Sequence, residues 1–103
     1  MLRYYTLIGQ TPVLANSVME HIEWMASVDR ATLIVKQENI GAKRISTVFL
    51  GFDLSLGDGP PLIFETAVFG DNVRTKIYAR CSTWHDAEKQ HGLAVKLVQE
   101  NKI

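Results

Sequence analysis

Glu65 stands among Leu62, Ile63, Phe64, Ala67 and Val68, and a carboxylate in such company needs a partner if it is buried. Arg44 and Arg80 are the cations that an alternating strand pattern makes available to it. A structural ion pair is the leading reading of Glu65, ahead of ligand recognition and of general acid–base work. A second group lies nearby in sequence. Lys76, Tyr78 and Arg80 alternate with Ile77, Ala79 and Cys81, which gives a strand one wet face, and Trp84 follows closely. Cations beside aromatic rings suit a nucleotide-like ligand, which carries both phosphate charge and a stacking face. An ordinary solvent-facing strand is the simpler account. Arg44, Glu65, Tyr78, Arg80 and Trp84 together make the candidate ligand-binding set.

The other chemistry-bearing residues read as structural. His85 and His91 are six residues apart in a helical segment, a rotation of roughly 600°, so they fall on different faces and make no metal pair. Glu88 and His91 have the i, i+3 spacing of half a di-metal carboxylate site, but that chemistry needs a second such pair, and the first helix offers only Glu20 and Glu23 beside His21. His91 is expected to be a hydrogen-bonded residue on an otherwise apolar helix face. Cys81, His85 and Asp86 are close in sequence, as a nucleophile with its base and acid would be. Alternation points Cys81 toward the core, however, and the first turn of a helix favours acids such as Asp86 for its dipole. Gly57, Asp58, Gly59 and Pro60 lack the Lys and Ser/Thr ending of a phosphate loop and run into a second proline instead of a helix. They read as a turn, with Asp53 and Asp58 as turn residues. No catalytic residue, metal ligand or cofactor site is assigned.

These residues need elements to hold them. Arg3 to Ile8 is rich in aromatic and β-branched types and reads as a first strand ending at Gly9 and Gln10. Thr11 to Leu14 reads as an edge extension of it, because Pro12 cannot donate within a central ladder. Ser17 and Glu20 have capping-box spacing, so a helix starts near Val18. Val18, Ile22 and Met25, with Met19 and Ala26 beside them, form its apolar stripe, flanked by His21 and Trp24. Strands follow over Ala31–Glu38, Lys43–Phe52, Leu62–Phe69 and Lys76–Ser82, with turns at Asn39–Gly41 and between Gly70 and Thr75. Thr83 caps a last helix, Trp84 to about Asn101, whose stripe is Trp84, Ala87, His91, Ala94 and Val98, widened by Leu93, Val95 and Leu97.

The order β-α-β-β-β-β-α predicts a single α+β domain over residues 1–103: an antiparallel meander sheet of about five strands with two helices packed on one face. The central strands carry apolar residues on both faces, so the uncovered face is expected to bury itself against another subunit in a homodimer or higher homo-oligomer.

Composition sets the outer limits. The chain has 103 residues, 47% hydrophobic and 21% charged, the balance of a folded domain. Eleven Lys and Arg offset eleven Asp and Glu, so the long-range field that draws proteins onto extended nucleic acid or anionic membranes is missing. The single Cys81 reads as a buried free thiol of a reducing compartment. The first ten residues have no signal-peptide pattern, and no apolar run approaches the roughly 20 residues of a membrane span.

Ser46, Thr47, Val48, Phe49, Leu50 and Gly51, then Gly59 through Thr66 with Phe69 and Gly70, then Ser82, Thr83 and Trp84 with Ala87 and His91, form a pattern that covers about half the chain. It resembles a family of short, uncharacterised bacteriophage and prophage proteins. Where that family often has Asp-His after its first motif this chain has Asp53 and Leu54, and where it often has Met this chain has Ala67. The resemblance implies an accessory protein of the bacterial host cytoplasm and carries over no catalytic residue. The expectation is a non-enzymatic, homo-oligomeric accessory protein that counters host defence by sequestering an anionic nucleotide-like ligand. The alternatives are a protein-binding inhibitor or structural adaptor of a host or phage protein, and, further off, a small hydrolase using Glu65 or His91.

Overall fold

The computed structural model describes residues 3–55, 57–70 and 73–103, with the backbone alone for 73–75. The fold is α+β. Strands β1 (Tyr5–Ile8) and β2 (Thr11–Leu14) form a hairpin, α1 spans Val18–Ser27, and a 3-10 turn at Arg30–Leu33 leads into β3 (Ile34–Ile40). Then come β4 (Lys43–Phe49), β5 (Phe64–Gly70), β6 (Val73–Cys81) and α2 (Trp84–Gln99). Strands β3 to β6 make the expected antiparallel meander, in the order β3-β4-β5-β6.

The single sheet of about five strands divides instead into this four-stranded sheet and the separate two-stranded hairpin. The physical reason lies in β1's outer edge: it is taken up by the segment after β4, where Tyr5 N–H donates to the Gly51 carbonyl and Asp53 N–H to that of Arg3. The expected strand at Ala31 begins three residues later, because Asp29 caps a 3-10 turn by accepting from Ala31 N–H. Part of the polar turn between Gly70 and Thr75 lies outside the described residues.

Helix α2 lies across one face of the meander. Its stripe follows the sequence pattern: Ala87, His91, Ala94 and Val98 are buried against the sheet, and Thr83 caps the helix by accepting from Asp86 N–H. Leu93, expected to widen the stripe, points away and is 55% exposed. On the covered face Phe49 and Phe64 are cross-strand partners with ring centroids 5.3 Å apart. Trp24 closes one end of this aromatic row edge-on at 6.0 Å and Trp84 the other at 6.1 Å. Edge-to-face contacts of this kind add about 0.5–1.5 kcal/mol each beyond the area they bury. The row therefore joins α1, the sheet and α2 in one core with Leu7, Ile63 and Ala87.

Helix α1 sits differently from its sequence pattern. Ser17 caps it as expected, its hydroxyl accepting from Glu20 N–H while Glu20 reaches back to Asn16 N–H. Its buried side is the one that carries His21 and Trp24; of the expected apolar stripe Val18, Met19 and Ile22 are 48%, 58% and 52% exposed and Ala26 is exposed too, while Met25 alone is half-buried. Two contacts outweigh the apolar stripe. Trp24 packs on Phe49, and the His21 ring bonds the Tyr5 carbonyl at 3.1 Å while lying over Gly51. Gly51 has φ +83°, and a Cβ there would come within 2.8 Å of His21 Cε1, so only glycine permits this docking. Thus α1 touches the sheet only at its aromatic end, and α2 alone covers the meander.

Candidate functional site

Strand register decides which candidate residues meet. Arg44 pairs with Phe69, Ser46 with Ala67 and Val48 with Glu65, so these six share the face of the sheet turned away from α2. Glu65 in turn pairs with Arg80, and Arg80 Nε donates to Glu65 Oε2 at 3.0 Å. This is the ion pair expected from the isolated carboxylate. The Glu65 side chain is 17% exposed and that of Arg80 39%, so the pair is half-open to water and contributes of the order of 1 kcal/mol. Arg44 lies over the Phe69 ring at 4.7 Å from its centroid, a cation–π contact on the same face.

Tyr78 and Trp84 are elsewhere. Between Thr66↔Ala79 and Ala67↔Ile77 the ladder skips Tyr78, which makes it the extra residue of a β-bulge. The bulge turns Tyr78 onto the helix-covered side, where it packs against Ile45, Val68, Ala94 and Val98. The expected wet face of Lys76, Tyr78 and Arg80 is thereby corrected: Ile77, 40% exposed, pairs with Ala67 on the open face, and Tyr78 does not. Trp84 belongs to the aromatic row of the core, on the covered side. Of the five candidates, Arg44, Glu65 and Arg80 share the open face, while Tyr78 and Trp84 lie behind the sheet.

The covered face holds a polar chain that sequence reasoning reached only at His91. Thr47 and Thr66 are cross-strand partners with no exposed surface, and their hydroxyl oxygens are 2.8 Å apart. Thr47 Oγ1 is 2.7 Å from His91 Nδ1, and His91 Nε2 is 3.0 Å from Glu38 Oε1 on edge strand β3. Burial lowers the His91 pKa below the ordinary 6.5, against the opposing pull of Glu38, so the ring is neutral at pH 7. Burial alone would raise the Glu38 carboxyl, but it ends below its ordinary value and ionised, with hydrogen bonds from Lys36 and His91 and the charge of Lys36 acting against burial. The directions follow. Nε2–H donates to Glu38, Nδ1 accepts from the Thr47 hydroxyl, and Thr47 accepts from Thr66.

Acid, imidazole and hydroxyl in this order are the parts of an activated nucleophile. Here the hydroxyl is sealed: neither Thr47 nor Thr66 has exposed surface through which a substrate would reach it. The chain instead satisfies buried polar groups and ties β3, β4, β5 and α2 together. The sequence signal for it was faint. Thr47 and Thr66 sit at core-facing positions of two apolar strands, and their pairing appears only once the β4–β5 register is known.

Cys81 is buried, its thiol pushed up chiefly by burial and directed to the Thr83 carbonyl. Among the described residues no three His, Cys, Asp or Glu side chains group as a metal site. The loop after β4 is anchored by Asp53, whose Oδ1 accepts from Ser55 N–H at 2.8 Å and Leu62 N–H at 2.9 Å. Burial would raise this carboxyl, but the two backbone donors, with the Ser55 side chain and the charge of Arg3, together outweigh it and hold it low. Gly57, Asp58, Gly59 and Pro60 are exposed at the loop tip, and the Ser82 hydroxyl donates to the Pro61 carbonyl where the chain re-enters the sheet. A cavity of about 280 Å³ lies between the β3–β4 turn and the C-terminal end of α2, lined by Ile40, Lys43, Val98 and Asn101 among others; no candidate residue faces it. No helix of the described chain is long and apolar enough to cross a membrane. Comparison with protein-family models, curated proteins and solved structures returned no match.

Proposed function

We propose that this chain is a non-enzymatic accessory protein of the bacteriophage type, acting in the bacterial cytoplasm as a homo-oligomer, and that it works by docking a host or phage protein on the open face of its four-stranded sheet. The observation that carries this reading is the placement of Arg44, Glu65 and Arg80 on one uncovered sheet face. Small-molecule sites are concave and bury most of their ligand. This face is a sheet surface with charges of both signs, and the aromatic rings that would stack a base, Tyr78 and Trp84, lie on its other side. Mixed charge with partly exposed apolar groups such as Ile77 suits a protein surface. The phage setting and its anti-defence corollary derive from the sequence resemblance.

Sequestration of an anionic nucleotide-like ligand is the second reading. Arg44 favours it, since it is exposed and makes no ion pair among the described residues. Native mass spectrometry of the protein taken from bacterial cells separates the two. A retained polypeptide lost in an Arg44→Ala/Arg80→Ala variant supports the docking reading. A retained small anion lost in that variant replaces it with the second, and a bare chain in both proteins overturns binding through this face.

A further inference from the structure

Exposed apolar surface is concentrated away from the sheet. Of the nine large hydrophobic residues that stand exposed among the described residues, six lie between Ile8 and Ile22. On α1 they make the outward face: Met19, Ile22 and Ala26 fall within one narrow arc, with Val18 on one flank and Glu23 on the other, opposite the buried His21 and Trp24. This part of the chain is also acidic. Between Arg3 and Arg30 there is no lysine or arginine and there are three acids, Glu20, Glu23 and Asp29. The outer face of α2 is basic in its middle turns, between Asp86 in the first turn and Glu100 at the C-cap, which is paired with Lys102. Lys89, Leu93 and Lys96 follow one another at i, i+4 and i+7, all exposed, and neither lysine has an ion-pair partner among the described residues.

Gly92, beside Leu93, adds a separate observation. It is in mid-helix and exposed, and a Cβ there would meet nothing within 4 Å. A glycine inside a helix costs stability relative to alanine, and nothing among the described residues makes use of the missing side chain. Close approach from outside would.

We propose that two copies of this chain assemble by packing α1 of one against α2 of the other: Leu93 and the bare backbone at Gly92 enter the Met19, Ile22 and Ala26 face of the second copy, and Glu23 meets Lys89 and Lys96. Each chain carries both surfaces, so the contact used twice closes a two-fold dimer and used once per chain gives a ring or filament. Edge-to-edge pairing is the less favourable route. Pro12 interrupts the free edge of β2, and bulges at Val35 in β3 and Tyr78 in β6 disrupt the outer strands of the sheet. The inference rests on the homo-oligomeric part of the function proposed above, and it leaves the sheet face free for its partner.

Charge exchange tests it. All three side chains are exposed, so Glu23→Lys and the double variant Lys89→Glu/Lys96→Glu should keep the wild-type circular dichroism. By analytical ultracentrifugation each variant alone should associate at least about tenfold more weakly than wild type, and an equal mixture should recover association, because each pairing of opposite charge is restored between unlike chains. Gly92→Leu should weaken association without unfolding the monomer. A wild-type monomer at all accessible concentrations overturns both this interface and the homo-oligomer, while leaving binding by the sheet face to its own test. An assembly indifferent to all these variants overturns the interface alone. Weakened single variants that do not recover on mixing overturn the pairing of α1 with α2.

Discussion

Glu38 Oε1 and His91 Nε2 lie 3.0 Å apart, joining an edge strand to the last helix across 53 residues of sequence. Beyond this bond the two threonine hydroxyls continue the chain to β4 and β5, so one buried imidazole serves four elements. Its neutral state is what the geometry uses: protonation would turn Nδ1 from acceptor to donor and reverse the direction of both threonine bonds.

Stability should therefore fall in mild acid. The folded pKa of His91 is below 6.5, chiefly through burial, whereas the unfolded chain titrates near that ordinary value. As pH drops below about 6.5 the unfolded state takes up the proton first, so the contribution of His91 is complete above that pH and is lost as pH falls toward its folded pKa. Urea unfolding midpoints between pH 8 and pH 5 should decline for wild type, and the decline should be smaller for His91→Gln. An equal slope in the variant would remove His91 as the cause.

Breaking the chain at Thr47 should cost more than breaking the surface pair. Thr47→Val leaves His91 Nδ1 and the Thr66 hydroxyl without their partner in a site with no access to water, a loss of about 1–3 kcal/mol. Glu65→Gln removes a half-solvated ion pair and should cost less than about 1 kcal/mol. Chemical denaturation of the two variants checks the order.

Much of this arrangement was legible from local pattern. The α2 stripe, the meander and the partnering of Glu65 by a strand cation follow from periodicity, because one helix face and one strand alternation decide them. What escaped depends on tertiary register. Tyr78 moves from one face to the other through a single inserted residue, which alternation cannot foresee. Helix α1 turns its apolar stripe outward because Trp24 finds Phe49 and His21 finds the Tyr5 carbonyl, contacts between residues far apart in the chain. Thr47, Thr66 and Glu38 become a network only when three strands and a helix are superposed. The family resemblance bore on setting and gave no residue a role.

Gly51 should be the most sensitive glycine of the turn after β4. Its φ of +83° strains any other residue, and a Cβ would strike the His21 ring. Gly51→Ala should cost about 1–3 kcal/mol and release α1 before the sheet unfolds, since the His21 contact is one of the few that hold this helix. Hydrogen exchange resolved by peptide reads this as faster exchange over Val18–Ser27 with protection retained in β4 and β5. Uniform loss of protection would show that α1 is not separately anchored.

Asp53 should set the integrity of the loop between the central strands. Its Oδ1 takes two backbone donors, Ser55 and, nine residues on from Asp53 itself, Leu62, and so draws the loop's beginning and end together while the glycine and proline tip stays in water. Asp53→Asn keeps one acceptor oxygen of similar shape but loses the charge that strengthens both bonds, whereas Asp53→Ala leaves both backbone donors unmet. The expected order of stability is wild type above Asn above Ala, with the alanine variant down by about 1–3 kcal/mol. The carboxyl's folded pKa lies below 3.8 because the backbone donors, the Ser55 side chain and Arg3 together outweigh burial, so this stabilisation is complete above the unfolded carboxyl's pKa and is lost as pH falls through the folded value. Limited proteolysis provides the local readout: cleavage within residues 57–61 should rise in the alanine variant under conditions where the aromatic core remains folded. Equal cleavage in wild type and alanine variant would mean that the proline pair alone stiffens the loop.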